Sequence, residues 1–201
     1  LICVHPGKSG KVIIVGALFD RVSSGDGVAD NWSGAALLPS LYQAIRTEPR
    51  QHTYIFIGFT DEEVGLVGSR FYARKMTPDQ VAATDAMINL DTLGLAPTNV
   101  WVSRSDKRLM LALGYVGKLL DLPVNGVNFE QVGSTDSESF ARRKIPRITV
   151  HSLTQKNHDA GILHSSKDKL SAINFDDYYE TYHLLAVYLV FLVRYLDEPD
   201  A

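Results

Sequence analysis

The sequence predicts an α/β fold, a three-layer α/β/α sandwich around a mostly parallel or mixed central sheet. Three observations predict it: apolar runs rich in β-branched residues recur along the chain, segments with helical apolar spacing separate them, and carboxylates gather just after the runs. A strand apolar on both faces must be covered on both, and intervening helices supply the two outer layers.

Residues 11–17, Lys-Val-Ile-Ile-Val-Gly-Ala, lack polar alternation and read as a strand buried on both faces. Residues 53–59, 86–90 and 147–150 repeat the pattern, and 100–102 is a weaker candidate. Helical spacing follows the first strand at 34–46, where Leu37, Leu38, Leu41 and Ile45 form one stripe. Further helices are expected over 66–75, 107–120, 136–144 and 175–196. Core packing accounts for most aromatics of the last helix. No linker, composition break or repeat divides the chain, so residues 1–201 are expected to form one domain.

A chain of 201 residues can bury roughly 70% of the surface its unfolded form exposes, so it needs no metal merely to fold. Any metal is then functional. Twenty Lys+Arg against twenty-three Asp+Glu give a net charge of −3 without a long run of one sign, which argues against a nucleic-acid partner. The longest strongly apolar stretch, residues 186–193, falls far short of the roughly 20 residues of a membrane span. The lone Cys3 cannot form an intrachain disulfide and reads as an inert thiol. The first residue is not Met and a strand-like run begins almost at once, as in a processed or truncated product.

Ligands of open α/β sheets bind beyond the carboxyl ends of the strands, and those positions are acidic here. Asp20 and Asp30 follow the first strand, Asp61, Glu62 and Glu63 the second, and Asp91 the third. Singly, Asp30 suits a helix N-cap, Glu62 and Glu63 a first helical turn, and Asp91 a turn. Together, carboxylates on one rim repel unless a cation or raised pKa values relieve them, and an added histidine would suggest zinc.

The segments Gly16-Ala-Leu-Phe-Asp20, Asp30-Asn-Trp-Ser-Gly34, Glu62-Glu-Val-Gly-Leu-Val-Gly-Ser69 and Asn89-Leu-Asp91, with His164 and Asp168, resemble in order and spacing the M28 family of zinc aminopeptidases. That family also includes the glutaminyl cyclases. The resemblance implies metal binding by Asp30, Glu63 and His164, a general base in Glu62, and a second-site ligand in Asp91. One departure is plain: the family's first-strand motif carries a metal-binding histidine where this chain has Leu18. The second site then keeps only two carboxylates, so the expected cofactor is zinc, one ion per chain. An apolar Leu18 side chain is expected where a second ion would lie.

The remaining candidates carry two readings each. Asp136 matches an aspartate that faces the substrate pocket in relatives, or is a first-turn acid of an exposed helix start. His151 and His158 either line the pocket or are solvated loop residues. His5, His52 and His183 read as structural or exposed. Leu163 stands where some relatives carry an aromatic side chain. The resemblance implies a zinc metallopeptidase acting on peptides or small N-terminal amines, secreted or periplasmic. Single-zinc glutaminyl cyclisation and a catalytically silent metal-binding domain are the competing readings.

Overall fold

The structure, a computed structural model, describes residues 1–49, 51–128 and 133–197. Among them the chain runs β1 (Ile2–His5), β2 (Val12–Leu18), α1 (Ser33–Ile45), β3 (Thr53–Phe59), α2 (Val67–Lys75), α3 (Pro78–Ala83) and β4 (Thr84–Leu90). It continues through β5 (Asn99–Val100), α4 (Lys107–Leu120), β6 (Asn125–Gly126), α5 (Ser137–Ala141), β7 (Arg147–His151), α6 (Gln155–Asp159) and α7 (Phe175–Asp197). The strands form one mixed sheet in the order β1-β3-β2-β4-β7-β5-β6. β3, β2, β4 and β7 are mutually parallel, so Leu18, Phe59, Leu90 and His151 end at one rim. β1 runs antiparallel on the β3 edge, and β5 runs antiparallel to β7.

The uninterrupted apolar strands divide their residues between two cores. Along β2, Ile13, Val15 and Ala17 join the larger core with α1, α4 and α7, through residues such as Leu41, Leu113 and Leu189. Ile14 joins the smaller one with Phe59, Ala73 and Phe140, from β3, α2 and α5. Alternation of successive side chains is what lets one strand serve two layers. At Gly16 a Cβ would lie 2.5 Å from the Phe59 ring, so the smaller layer has room only for glycine there.

Several boundaries differ from the sequence reading. The helix expected over 136–144 is only Ser137–Ala141, and the strand expected over 100–102 stops at Val100, where a 3₁₀ turn over Val102–Arg104 takes over. Periodicity also misses α3 and α6, which are one to two turns long and held by their ends. Thr77 and Gln80 cap α3 reciprocally with Pro78 in its first turn, and Thr154 and Asn157 cap α6 likewise. Among the described residues no helix is long and apolar enough to cross a membrane.

From β2 the chain passes to β3 on one side, whereas from β4 it passes on to β7 on the other. The connections diverge between β2 and β4, and a crevice opens at their carboxyl ends. Asp20, Asp30 and Asp91 follow these two strands.

Candidate metal centre and active site

Asp30 sits in an irregular turn, Val28–Trp32, just before α1, and the Asp30–Asn31 peptide is cis. The turn is fastened from three directions. Asn31 is fully buried: its Oδ1 accepts the N–H groups of Gly34 and Thr92, each at 3.0 Å, and its Nδ2 donates to the Leu90 carbonyl at 2.9 Å. The Ser33 hydroxyl donates to the Ala29 carbonyl at 2.7 Å and accepts the N–H of Leu93 at 2.8 Å. From the far end of the chain, the Asp168 carboxylate accepts the N–H of Ala29 at 2.6 Å and of Asp30 at 3.2 Å. Gly34 completes the clasp, because a Cβ there would stand 2.6 Å from the Leu90 carbonyl oxygen.

A second clasp holds the acidic pair. Asp20 accepts the N–H of Glu62 at 3.1 Å and of Glu63 at 3.2 Å, tying the loop after β3 to the end of β2. Gly68 lets α2 start tight against that loop, since a Cβ would meet the Thr60 carbonyl oxygen at 2.6 Å. His164, at φ 54°, turns its ring into the same crevice.

These clasps bring Asp30, Glu63 and His164 together. His164 Nε2 lies 3.1 Å from Asp30 Oδ2 and 3.2 Å from Glu63 Oε2, and one ligand-capable atom from each residue falls within 4.8 Å of the others. Asp91 borders the same cavity outside that trio. Its two oxygens accept the hydroxyls of Thr92 at 3.0 Å and Thr135 at 2.6 Å, and Asn89 donates to Thr135 at 2.6 Å. Leu18, 1% exposed at the end of β2, does not line the cavity; the expected apolar intruder is sealed inside the fold.

The cavity has a volume of about 350 Å³. Glu62, Glu63, Asp30 and Asp91 form one side; Trp101, Thr149, His151 and Leu153 line another part, and His158 and Leu163 also border it. His151 is therefore not a solvated loop residue: it ends β7 and is 1% exposed. Its Nδ1 accepts the N–H of Leu153 at 3.0 Å, which leaves Nε2–H to donate to the Val127 carbonyl at 3.2 Å. Burial pulls its pKa down to about 4, so the ring is neutral. Trp101 meets it edge to face. Asp136 departs from both sequence readings. It is fully buried behind the wall instead of lying at an exposed helix start, and neither oxygen forms a well-made hydrogen bond, although the Ser69 hydroxyl offsets part of the cost of its charge. His5 and His52 are buried and His183 is exposed.

The crowding of acids raises their proton affinity. Burial first, then repulsion from Asp91, Asp136, Glu63 and Asp30, holds the Glu62 carboxyl well above the usual carboxylate range. Burial and Asp30 lift Glu63 to about 7, burial lifts Asp136 to about 7, and burial with Asp30 lifts Asp91. The hydrogen bond with Asp30 pushes His164 up to about 9. Two carboxylates and an imidazole converging on one point, with Glu63 Oε1 buried and unpaired, form an oxygen/nitrogen donor set that suits zinc with an open fourth position. A cation there would also relieve the repulsion that otherwise keeps protons on the acids.

Sequence reasoning missed the fasteners. Asn31, Ser33, Thr92 and Thr135 lie in or beside the motif segments as ordinary polar residues, and only their proximity to the ligand positions hints at them. Asp168 and Asp20 stand in the motif segments, but their hydrogen bonds reach 138 and 42 residues along the chain.

The chain is similar to proteins of established kind. Leupeptin-inactivating enzyme 1 of Streptomyces exfoliatus is 28% identical over 143 residues, which cover 70% of this chain and 32% of that protein. A zinc aminopeptidase from Bacillus subtilis superposes with a TM-score of 0.86 at 18% identity, covering 96% of this chain and 49% of that one. An Acidobacteriales glutaminyl cyclase superposes with a TM-score of 0.79 at 20% identity, covering 96% of this chain and 72% of that one. This chain thus spans about a third of the first relative and half of the second. The two superpositions establish the shared fold, and the sequence profile of peptidase family M28 matches residues 1–189. With that match over nearly its whole length, and with the motif segments closing on one rim, the chain belongs to peptidase family M28.

Proposed function

We propose that the chain is a zinc-dependent metallopeptidase of the aminopeptidase type, releasing N-terminal residues from peptides. One observation carries this reading: Asp30, Glu63 and His164 can hold one ion beside Glu62, inside a cavity large enough for an amino-acid residue. When bound, zinc supplies a Lewis acid for the scissile carbonyl and lowers the pKa of water. Once a bound cation relieves the repulsion that holds a proton on it, the Glu62 carboxylate would take a proton from the attacking water as that oxygen bonds to the carbonyl carbon. It returns that proton to the amide nitrogen as the C–N bond breaks. The carboxylate side offers a counter-charge to a free α-ammonium group. The wall of Trp101, His151 and Leu153 offers neither charge nor a spare imidazole hydrogen bond, and so favours an uncharged side chain.

Occupancy of one ion per chain is part of the proposal. Leu18 removes a neutral nitrogen ligand, and the hydroxyls of Thr92 and Thr135 already occupy Asp91. The test is a panel of aminoacyl amides with zinc-loaded protein. Zinc-dependent cleavage lost in Glu62→Gln is expected; no cleavage across the panel, or cleavage that survives the substitution, would overturn the reading. The single-ion arrangement also supports a second reading, cyclisation of an N-terminal glutaminyl residue. Mass spectrometry separates them, because cyclisation releases ammonia without cutting the chain.

A further inference from the structure

The apolar wall of the cavity has a cation behind it. Trp101 borders the cavity and is buried, and its ring meets His151 edge to face, centroids 6.2 Å apart. The backbone decides what lies on that ring. After Val100 the chain leaves β5 in a 3₁₀ turn, and the Arg104 N–H donates to the Trp101 carbonyl at 3.1 Å. In such a turn residues three apart eclipse one another, so the Arg104 side chain stacks over Trp101. Its guanidinium carbon lies 4.5 Å from the ring centroid. Glu138 of α5 fixes it there: Oε1 stands 3.3 Å from Arg104 Nη1 and accepts Arg147 Nη2 at 2.9 Å. Trp101 is fastened to β7 in turn, its N–H donating to the Thr149 carbonyl at 3.0 Å. Arg104 itself does not line the cavity; with Arg147 it borders a separate groove.

We propose that Arg104 is a positioning residue for substrate selection: held by Glu138, it fixes the plane of Trp101 and sets a cation on that ring, so that the cavity takes peptides with an apolar N-terminal residue and rejects those that begin with lysine or arginine. The proposal rests on the aminopeptidase reading of the site and names its substrate class. Asp30, Glu62, Glu63 and Asp91 line the same cavity, and by charge alone they would draw a lysyl side chain in. Arg104 opposes them at the wall where a side chain rests. An aromatic ring attracts a cation through its quadrupole, and Arg104 already uses that attraction. A side chain in contact with the ring stands on the order of 8 Å from the guanidinium. At that separation a second cation is disfavoured about tenfold in binding, with an effective dielectric near 20 and salt screening included. An apolar side chain meets no such repulsion and gains by covering the ring. Arginine suits this place better than lysine, because its planar group stacks on the ring while its edge hydrogen-bonds to Glu138.

Trp101 can report on this directly, being one of two tryptophans, of which the other, Trp32, is exposed. In zinc-loaded Trp32→Phe protein, leucinol should change the emission of Trp101, and lysinol should bind about tenfold more weakly. Neither amino alcohol has an amide to cleave, so the result does not depend on turnover. In the same background Arg104→Gln should bring the two affinities within about threefold of each other, and Arg104→Lys, which keeps the charge, should retain most of the difference. Glu138→Gln, which removes the opposing acid, should widen it. A merely structural role would loosen Trp101 in both glutamine variants and shift the preference the same way. Equal affinities before any change at Arg104, a preference unaltered by Arg104→Gln, shifts of the same sign in Arg104→Gln and Glu138→Gln, or no response of Trp101 to leucinol overturns the inference. Cleavage of the aminoacyl amides is a separate readout, so the peptidase reading and this one can fail independently.

Discussion

Replacing Asp168 by alanine tests how Asp30 is held. Asp168 is 2% exposed, and its carboxylate accepts the N–H groups of Ala29 and Asp30 at 2.6 and 3.2 Å. A hydrogen bond to a buried charge is worth about 1.5–3 kcal/mol, so losing two costs about 3–6 kcal/mol. Part of this is recovered, because burial already holds the Asp168 carboxyl above its ordinary pKa and its removal relieves that cost. The net loss is about 2–4 kcal/mol, or about 5–15 °C in Tm for a chain of this size. One of the two donors is the backbone of a ligand residue, so zinc affinity should fall about 10–100-fold. Asp168→Asn keeps one carbonyl acceptor and should fall between. Calorimetry of metal-free protein gives the first quantity and zinc titration against a chromophoric chelator the second. Lost stability with zinc affinity unchanged would show that Asp168 supports the fold without positioning Asp30, and the reasoning would fail.

Four further outcomes are expected. Glu63 and His164 are raised from 4.5 to about 7 and from 6.5 to about 9, so their stabilisation is complete below the unfolded values and lost as pH rises through the folded ones. Metal-free Tm should therefore fall between about pH 5 and 9, while the increment added by zinc grows as bound metal displaces those protons; scanning fluorimetry with chelator and with zinc checks both, and a flat increment contradicts the site. Metal analysis after dialysis against trace zinc should find one ion per chain; two tightly held ions would mean that Asp91 binds a second ion in spite of the hydroxyls of Thr92 and Thr135. Gly34→Ala drives a Cβ against the Leu90 carbonyl and should cost about 1–3 kcal/mol in urea unfolding; a neutral result would show that the clasp around Asn31 yields. The ratio of kcat/KM for leucyl over lysyl amides should exceed about 10 and narrow in His151→Asp, which places a charge on the neutral wall; an unchanged ratio would place the side-chain pocket elsewhere.

Much of this molecule was legible from local pattern. The four parallel strands are unbroken β-branched runs because both their faces are covered, and that requirement is written into each run independently of its neighbours. α1, α4 and α7 are long enough for their stripes to show the period, and the ends of β2, β3 and β4 mark a rim wherever the strands finally pair. Sequence order alone therefore directed attention to Asp30, Glu62, Glu63 and Asp91. The short capped helices α3 and α6 escaped notice because one or two turns are too few to display a period.

What tertiary structure decided is how each of these residues is held and what its surroundings do to its charge. Asp136 read either as an acid facing the substrate pocket or as an exposed helix start, but packing of α5 against β4 and β7 buries it, and burial cannot be read from neighbours in sequence. His151 read as a loop residue, yet one further residue of β7 makes it a neutral wall locked by Leu153 and Val127. Asp91 carries the same letter whether it binds a metal or accepts two hydroxyls, and only the approach of Thr135 from 44 residues away shows its partner. Hydrophobic pattern is a local property, set residue by residue along each element. Hydrogen bonds and proton affinities depend on which distant segments share a crevice, and the fold alone settles that.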